Sequence, residues 1–330
     1  MKTKAIVYRA HGAPSSVAHL EEIELPQLQP NQVRVRVLFA PINPADLNAI
    51  EGTYPIRPSS WPAVPGGEGA GIVEEAGSEV TALEPGKLVL LPRAAGSWCE
   101  QTIVPADSLV AVPRGIPPEQ AAMLRVNPAT ALRMLLDFVD LQPGEWIIQN
   151  AANSAVGRAV IQIAHARGLK TLNVVRRPEL INELKSAGAD AVLLEGDTLD
   201  ENIQAATGGA PVRLGLNSVG GESALRLANV LAEGGTIVTF GAMGRQPLRI
   251  PNGLLIFNDL RWRGFWVSRW YEKASADARS AMFGELFALA QRGVVRSPVE
   301  KIYPLEEIGA ALARVQEGGR AGKILLSPGK

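Results

Sequence analysis

The sequence predicts an α/β protein of two parts, a β-rich domain and a doubly wound parallel sheet. Three observations predict it. The first third alternates apolar and polar residues in short runs separated by proline and glycine turns. From Glu145 onward, strand-length apolar runs alternate with helix-length amphipathic segments. The length of 330 residues allows about two domains at roughly 150 residues each.

Taken in order, residues 4–8 and 32–39 alternate as strands do, and Val33, Val35 and Val37 share one face. Pro26, Pro30 and Asn31 punctuate between them, and glycine- and proline-rich turns follow at 62–71, 85–86 and 92–96. Many short strands of this kind make a barrel- or sandwich-like unit. At Pro117-Pro118-Glu119 the texture becomes helical, because proline is tolerated in a first turn and an acid favours its dipole. The βα alternation then predicts strands at 145–149, 171–175, 191–194, 212–217 and 236–240, with helices at 155–166, 179–187, 201–206 and 223–231. Such alternation calls for a parallel sheet with helices on both faces. The apolar run 254–257, followed by 260–262, reads either as an exposed edge strand seeking a second copy of the chain or as a strand buried within one sheet. A long helix at 274–292, a short one at 305–317 and a last strand at 323–326 are expected to return to the first domain. The domains are therefore expected at 1–120, completed by 271–330, and at 121–270.

Composition narrows the function. Hydrophobic residues are 46% and charged residues 20%, as in a folded globular protein. Lys+Arg and Asp+Glu both number 33, which argues against nucleic acid as the main partner, since phosphate contacts need an excess of base. No apolar run approaches the roughly 20 residues that span a bilayer, so no membrane role is expected. The single cysteine, Cys99, excludes an intrachain disulfide. Residues 1–11 have neither the apolar core of a signal peptide nor an Arg/Ser-rich transit helix. A bacterial-type cytoplasm is the expected location.

The first strand of the alternating region runs into Asn150-Ala151-Ala152-Asn153-Ser154-Ala155-Val156-Gly157 and then an apolar helix. This is the position of a dinucleotide fingerprint, where small residues let the backbone approach a pyrophosphate at a helix N-terminus. Alanine and serine stand where glycines are usual, and a strand–turn–helix of small residues is common in its own right. The next strand ends Asn173-Val174-Val175-Arg176-Arg177. An acid roughly 20 residues after the fingerprint would bind a ribose 2′-hydroxyl. Two arginines there suit a 2′-phosphate instead, and so NADPH. The alternative is a solvated basic loop end. Turns at Asn217-Ser218-Val219-Gly220-Gly221 and Phe240-Gly241-Ala242-Met243 lie at carboxyl ends of strands, where ligands of such sheets bind, although each is also an ordinary glycine turn.

The stretch Pro65-Gly66-Gly67-Glu68-Gly69-Ala70-Gly71 resembles one found in the medium-chain dehydrogenase/reductase superfamily. In its alcohol dehydrogenases a histidine of this stretch binds catalytic zinc; here Gly67 takes that place. The four-cysteine structural zinc site has no counterpart in a chain with one cysteine and three histidines. No metal is therefore expected. Zinc-free members usually deliver hydride to a conjugated double bond.

Further segments are similar to the 2-enoyl thioester reductases, the trans-2-enoyl-CoA or acyl-carrier-protein reductases of mitochondrial fatty-acid synthesis and their bacterial relatives. They are Pro41-Ile42-Asn43-Pro44-Ala45-Asp46-Leu47-Asn48 with Glu51-Gly52-Thr53-Tyr54, Val126-Asn127-Pro128-Ala129-Thr130-Ala131, the Asn150–Gly157 turn, Leu172-Asn173-Val174-Val175-Arg176, and Arg263-Gly264-Phe265-Trp266-Val267-Ser268-Arg269-Trp270. The resemblance covers almost the whole chain and implies a GroES-like catalytic domain beside a Rossmann domain, with homodimers formed by the latter. It implies Tyr54 as catalytic residue. It assigns cofactor contacts to Asn43, Asn127, Asn153, Ser154, Ala155, Val156, Gly157, Arg176, Phe240, Gly241, Ala242, Met243, Phe265, Trp266, Val267 and Lys323, with Arg177 and Asn217 added from the strand ends. The family's glycine before Val-Gly is Ala155 here, and Pro55 follows Tyr54.

The implied reaction is NADPH-dependent reduction of the double bond of an enoyl-CoA or enoyl-acyl-carrier-protein. Hydride reaches the β-carbon while Tyr54 assists at the thioester carbonyl. A quinone or small-enone reductase of the same fold, or a non-catalytic NADPH-binding protein, shares most of these motifs. Arg261, Arg263 and Arg269 offer positive potential to an acidic carrier domain, or form a solvated face.

Overall fold

The computed structural model describes residues 1–93 and 95–328. The chain divides into two compact units, Met1–Val126 with Arg296–Lys330, and Asn127–Val295. Its strands in chain order are β1 (Lys2–Val7), β2 (His19–Glu24), β3 (Gln32–Pro41), β4 (Ala70–Ala76), β5 (Leu88–Leu90), β6 (Gln101–Pro105), β7 (Val110–Ala111), β8 (Trp146–Gln149), β9 (Lys170–Val175), β10 (Ala191–Leu194), β11 (Val212–Asn217), β12 (Thr236–Thr239), β13 (Arg261–Gly264), β14 (Val299–Tyr303) and β15 (Lys323–Leu326).

In the first unit, β3 is the hub. It pairs antiparallel with β4, β6 and β15, in a sheet ordered β14-β15-β3-β4-β5-β7. The alternation that predicts β3 has its physical outcome here: Val33, Val35 and Val37 are all fully buried, and they join Ile6, Val73, Val89, Trp98 and Ile324 in one core. The carboxyl-terminal strands β14 and β15 do return to this sheet. The helix Ala276–Gln291, expected with them, belongs to the second unit. It buries Met282, Phe283, Leu286, Phe287 and Leu289. Phe283 stacks on Tyr271 with ring centroids 6.0 Å apart, and Glu285 pairs with Arg167. The return to the first unit therefore comes near residue 296 rather than 271.

The second unit carries a six-stranded sheet ordered β10-β9-β8-β11-β12-β13, parallel throughout. Numbered from β8, that order is 3-2-1-4-5-6, the arrangement of dinucleotide-binding sheets, with its switch point between β8 and β11. β8 is buried at every residue and β9 at five of its six, as strands covered on both faces must be. The apolar segment 254–257 is not a strand: Asn252–Ile256 is a short helix, and β13 follows it as an outermost strand. Its period-less apolar run fits either element, and Pro251 at the N-cap, which has no amide to give a strand ladder, favours the helix.

Candidate active site

Tyr54 is held by the helix Pro44–Glu51. The Asp46 carboxylate accepts the amide of Asn43 at 2.8 Å, so the helix starts from a fixed residue. It ends at Gly52, whose φ of 77° is the left-handed conformation that glycine tolerates. The amides of Thr53 and Tyr54 then both donate to the Asn48 carbonyl, at 2.9 and 3.1 Å. The backbone of Tyr54 is thus tied to the helix, while its half-buried ring lies under the Arg93 guanidinium, 5.4 Å from Cζ to ring centroid.

Beneath this helix lies a buried polar network. The second Asp46 oxygen accepts the Gly67 amide at 2.8 Å. So the residue standing at the zinc-ligand position contributes a backbone donor. Glu68, fully buried, accepts from the Asn43 side-chain amide at 2.8 Å and from the Val126 amide at 2.9 Å. Lys323 donates to the Asn43 side-chain carbonyl at 2.6 Å and to the Ile42 carbonyl at 3.0 Å. Asn43 therefore stands between a cation and an anion. Burial pushes the Asp46 carboxyl up to about 6, against the pull of its two amide donors. Burial also raises Glu68 and lowers Lys323, opposed in both by their mutual attraction. Asn43 and Lys323, expected as cofactor contacts, have these side-chain bonds within the first unit. Cys99 is buried and donates to the Gly96 carbonyl, and burial pushes its thiol up to about 12, so it is no nucleophile.

The second unit carries the remaining residues, all but Asn127 following the carboxyl ends of its strands. The helix Ala155–Ala166 follows β8, capped by the Ser154 hydroxyl, which accepts the Gly157 amide at 3.1 Å. A Cβ on Gly157 would meet the Ala152 carbonyl oxygen at 2.5 Å, so only glycine lets the helix pack this closely on its turn. Ala151 takes φ 45° in the turn, a left-handed geometry usually left to glycine. Asn153, Ser154, Ala155 and Val156 are partly exposed around this helix N-terminus. Arg176 is exposed directly beyond β9, while Arg177 pairs with Glu179 at 3.4 Å. Phe240 and Gly241 follow β12, with Ala242 and Met243 exposed beyond them. Phe265 and Trp266 follow β13; Phe265 meets Phe138 edge-on at 5.8 Å, and Val267 is buried at the start of a helix. Asn127 is buried at the first position of the helix Asn127–Asp137.

Asn217, expected to touch the cofactor, is fully buried with its side chain committed to the fold. It accepts from Val219, Gly220 and Asn150, and donates to Thr239. Asn150, absent from the sequence-based set, is its counterpart. It joins the ends of β8 and β11 through Asn217, Ser218 and Ser223. A buried asparagine at a strand end in the fingerprint was the available signal. Arg93 had none, since only the tertiary structure brings it over Tyr54.

The donor set fits a dinucleotide phosphate. A helix N-terminus, small residues around it, and an exposed guanidinium in place of an acid all favour an anion. Among the described residues, no three His, Cys, Asp or Glu side chains cluster as metal ligands, and no helix is long and apolar enough to cross a membrane.

Comparison with known proteins places this geometry. Residues 29–114 match a family described as the alcohol dehydrogenase GroES-like domain, and residues 155–282 one described as zinc-binding dehydrogenase. The human mitochondrial enoyl-[acyl-carrier-protein] reductase is 44% identical over 317 residues, covering 94% of this chain and 85% of that protein. Its Arabidopsis thaliana counterpart is 41% identical over 318 residues, 94% of this chain and 84% of that protein. A structure of the Etr1p/NADP/crotonyl-CoA complex superposes with a TM-score of 0.90 at 30% identity over 99% of this chain and 100% of that one. The Candida tropicalis mitochondrial 2-enoyl thioester reductase Etr1p/Etr2p heterodimer gives 0.91 at 30% identity over 99% and 100%. A Bacillus thuringiensis chain described as an NADPH:quinone reductase gives 0.92 at 29% identity over 99% of both chains. The enoyl reductase relatives are named as mitochondrial, which overturns the cytoplasmic location expected from the sequence. A single unpaired cysteine fits any reducing compartment and could not single out one.

Proposed function

This chain belongs to the 2-enoyl thioester reductases of the medium-chain dehydrogenase/reductase family, and we propose that Tyr54 is the donor that assists its reaction. The chain reduces the carbon–carbon double bond of 2-enoyl thioesters. NADPH, when bound, supplies the hydride that the β-carbon receives. The turn 150–157 and Arg176 would hold its phosphates, and the turns after β12 and β13 would flank its nicotinamide half.

As the β-carbon is reduced, negative charge collects on the thioester oxygen. The Tyr54 hydroxyl donates to that oxygen and stabilises the charge where it develops, and a proton taken up at the α-carbon then completes the reduction. The observation that supports this role is the double tether of residues 53 and 54 to Asn48 behind Gly52, which fixes the donor's backbone before substrate arrives. Tyr54→Phe removes only the hydroxyl. We expect turnover with crotonyl-CoA to fall by roughly 10²–10³, with NADPH affinity unchanged. Near-normal turnover, or a loss explained by failed NADPH binding, would refute the role. The likeness to the Bacillus thuringiensis chain makes a quinone the substrate to run alongside.

Two copies of this chain are further proposed to pair along β13, the outermost strand beside exposed Leu255, Ile256 and Phe257. Arg261, Arg263 and Arg269 are all exposed, with Arg261 3.5 Å from Asp259 and Arg263 over the Phe138 ring at 5.8 Å.

A further inference from the structure

Arg93 lies outside every motif that the function absorbs. It follows β5 in the turn Leu91-Pro92-Arg93, whose base is held by the Leu91 amide on the Gly69 carbonyl at 2.9 Å. This turn and the helix that carries Tyr54 are separate elements of the first unit, with β4 and β5 between them in the chain. Yet the guanidinium carbon stands 5.4 Å from the Tyr54 ring centroid, within the range where a cation and an aromatic face attract. Its charge is also felt at buried Asp46, where it favours the carboxylate. Asp46 in turn fixes the start of the helix that closes at Gly52, directly before Thr53 and Tyr54. One arginine thus sits in the fields of both the buried acid at the head of this helix and the tyrosine beyond its end.

We propose that Arg93 is a positioning residue that acts through Tyr54, holding the ring by its face and strengthening the hydroxyl as a donor. The inference rests on Tyr54 being the donor. When the hydroxyl shares its proton with the thioester oxygen, negative character moves onto the phenol. A cation over the ring stabilises that charge more in the transition state than in the ground state. Arg93 needs no contact with substrate to do this.

The test is a double-mutant cycle on the full chain, with crotonyl-CoA and NADPH as substrates. Arg93→Met keeps an unbranched stem and removes the charge, whereas Arg93→Lys keeps a cation. Each is made alone and together with Tyr54→Phe. Thermal unfolding and an NADPH titration confirm that each variant is folded and binds cofactor. We expect Arg93→Met to lower kcat by about five- to twentyfold, with the crotonyl-CoA KM little changed. Arg93→Lys should restore most of the loss, and Arg93→Met should have no further effect once the Tyr54 hydroxyl is gone. An equal loss with and without that hydroxyl, a loss confined to KM, or no rescue by lysine overturns the inference while leaving Tyr54 in place. Near-normal turnover of Tyr54→Phe alone overturns the reading beneath it, whatever Arg93 does.

Discussion

At the scale of single residues, the chemistry depends on which side chains face outward and which are spent on the fold. Asn217 is spent: its amide joins β8, β11 and β12, so truncating it would loosen three strands. Arg176 is not, being exposed where an acid would select NAD. Arg177 is partly engaged by Glu179. Arg176→Ala should therefore raise the NADPH KM by about one to two decades and barely change that for NADH. Arg177→Ala should do less. Steady-state kinetics with both cofactors checks this, and an equal effect on the two would remove the 2′-phosphate assignment.

At the scale of elements, the helix Pro44–Glu51 shows how a buried charge can position a site at a cost. The Asp46 carboxyl is raised to about 6 by burial, from an ordinary value of 3.8. Between those values the native state holds a proton that the unfolded chain releases, so this group makes stability fall as pH rises through the window. An asparagine there would not titrate. Asp46→Asn loses one of two acceptors and should be destabilised at acid pH, yet its deficit should shrink between about pH 4 and 6, by at most ~1.4 kcal/mol per pH unit. Urea unfolding across that range measures the difference. A deficit that grows with pH would contradict the assigned direction.

At the scale of the whole molecule, the sheet of the second unit ends at β13, beside Phe257 at 79% exposure. The proposed pairing rests on a large aromatic this exposed next to an outermost strand. We expect light scattering to report a dimer at micromolar concentration, and Phe257→Lys to shift it toward monomer. A wild-type monomer under the same conditions would remove the proposed pairing. The Etr1p/Etr2p neighbour is described as a heterodimer, so the measurement is made on this chain purified by itself.

The sequence by itself determined the βα alternation of the second unit and the last strand, because periodicity is local: the helix Ala155–Ala166 and the strands Ala191–Leu194, Val212–Asn217 and Lys323–Leu326 were all legible at their observed bounds. It also determined the cofactor and the substrate class, since motif residues lie consecutively along the chain and share their pattern with relatives. It misplaced the helix Ala276–Gln291 and took the helix Asn252–Ile256 for a strand, because an amphipathic or apolar run does not say what it packs against. Only the tertiary structure decided the network of Asn43, Asp46, Glu68 and Lys323 and the place of Arg93 over Tyr54. Those contacts join residues up to 280 positions apart, and such pairs acquire their energies only once folding has removed the water between them.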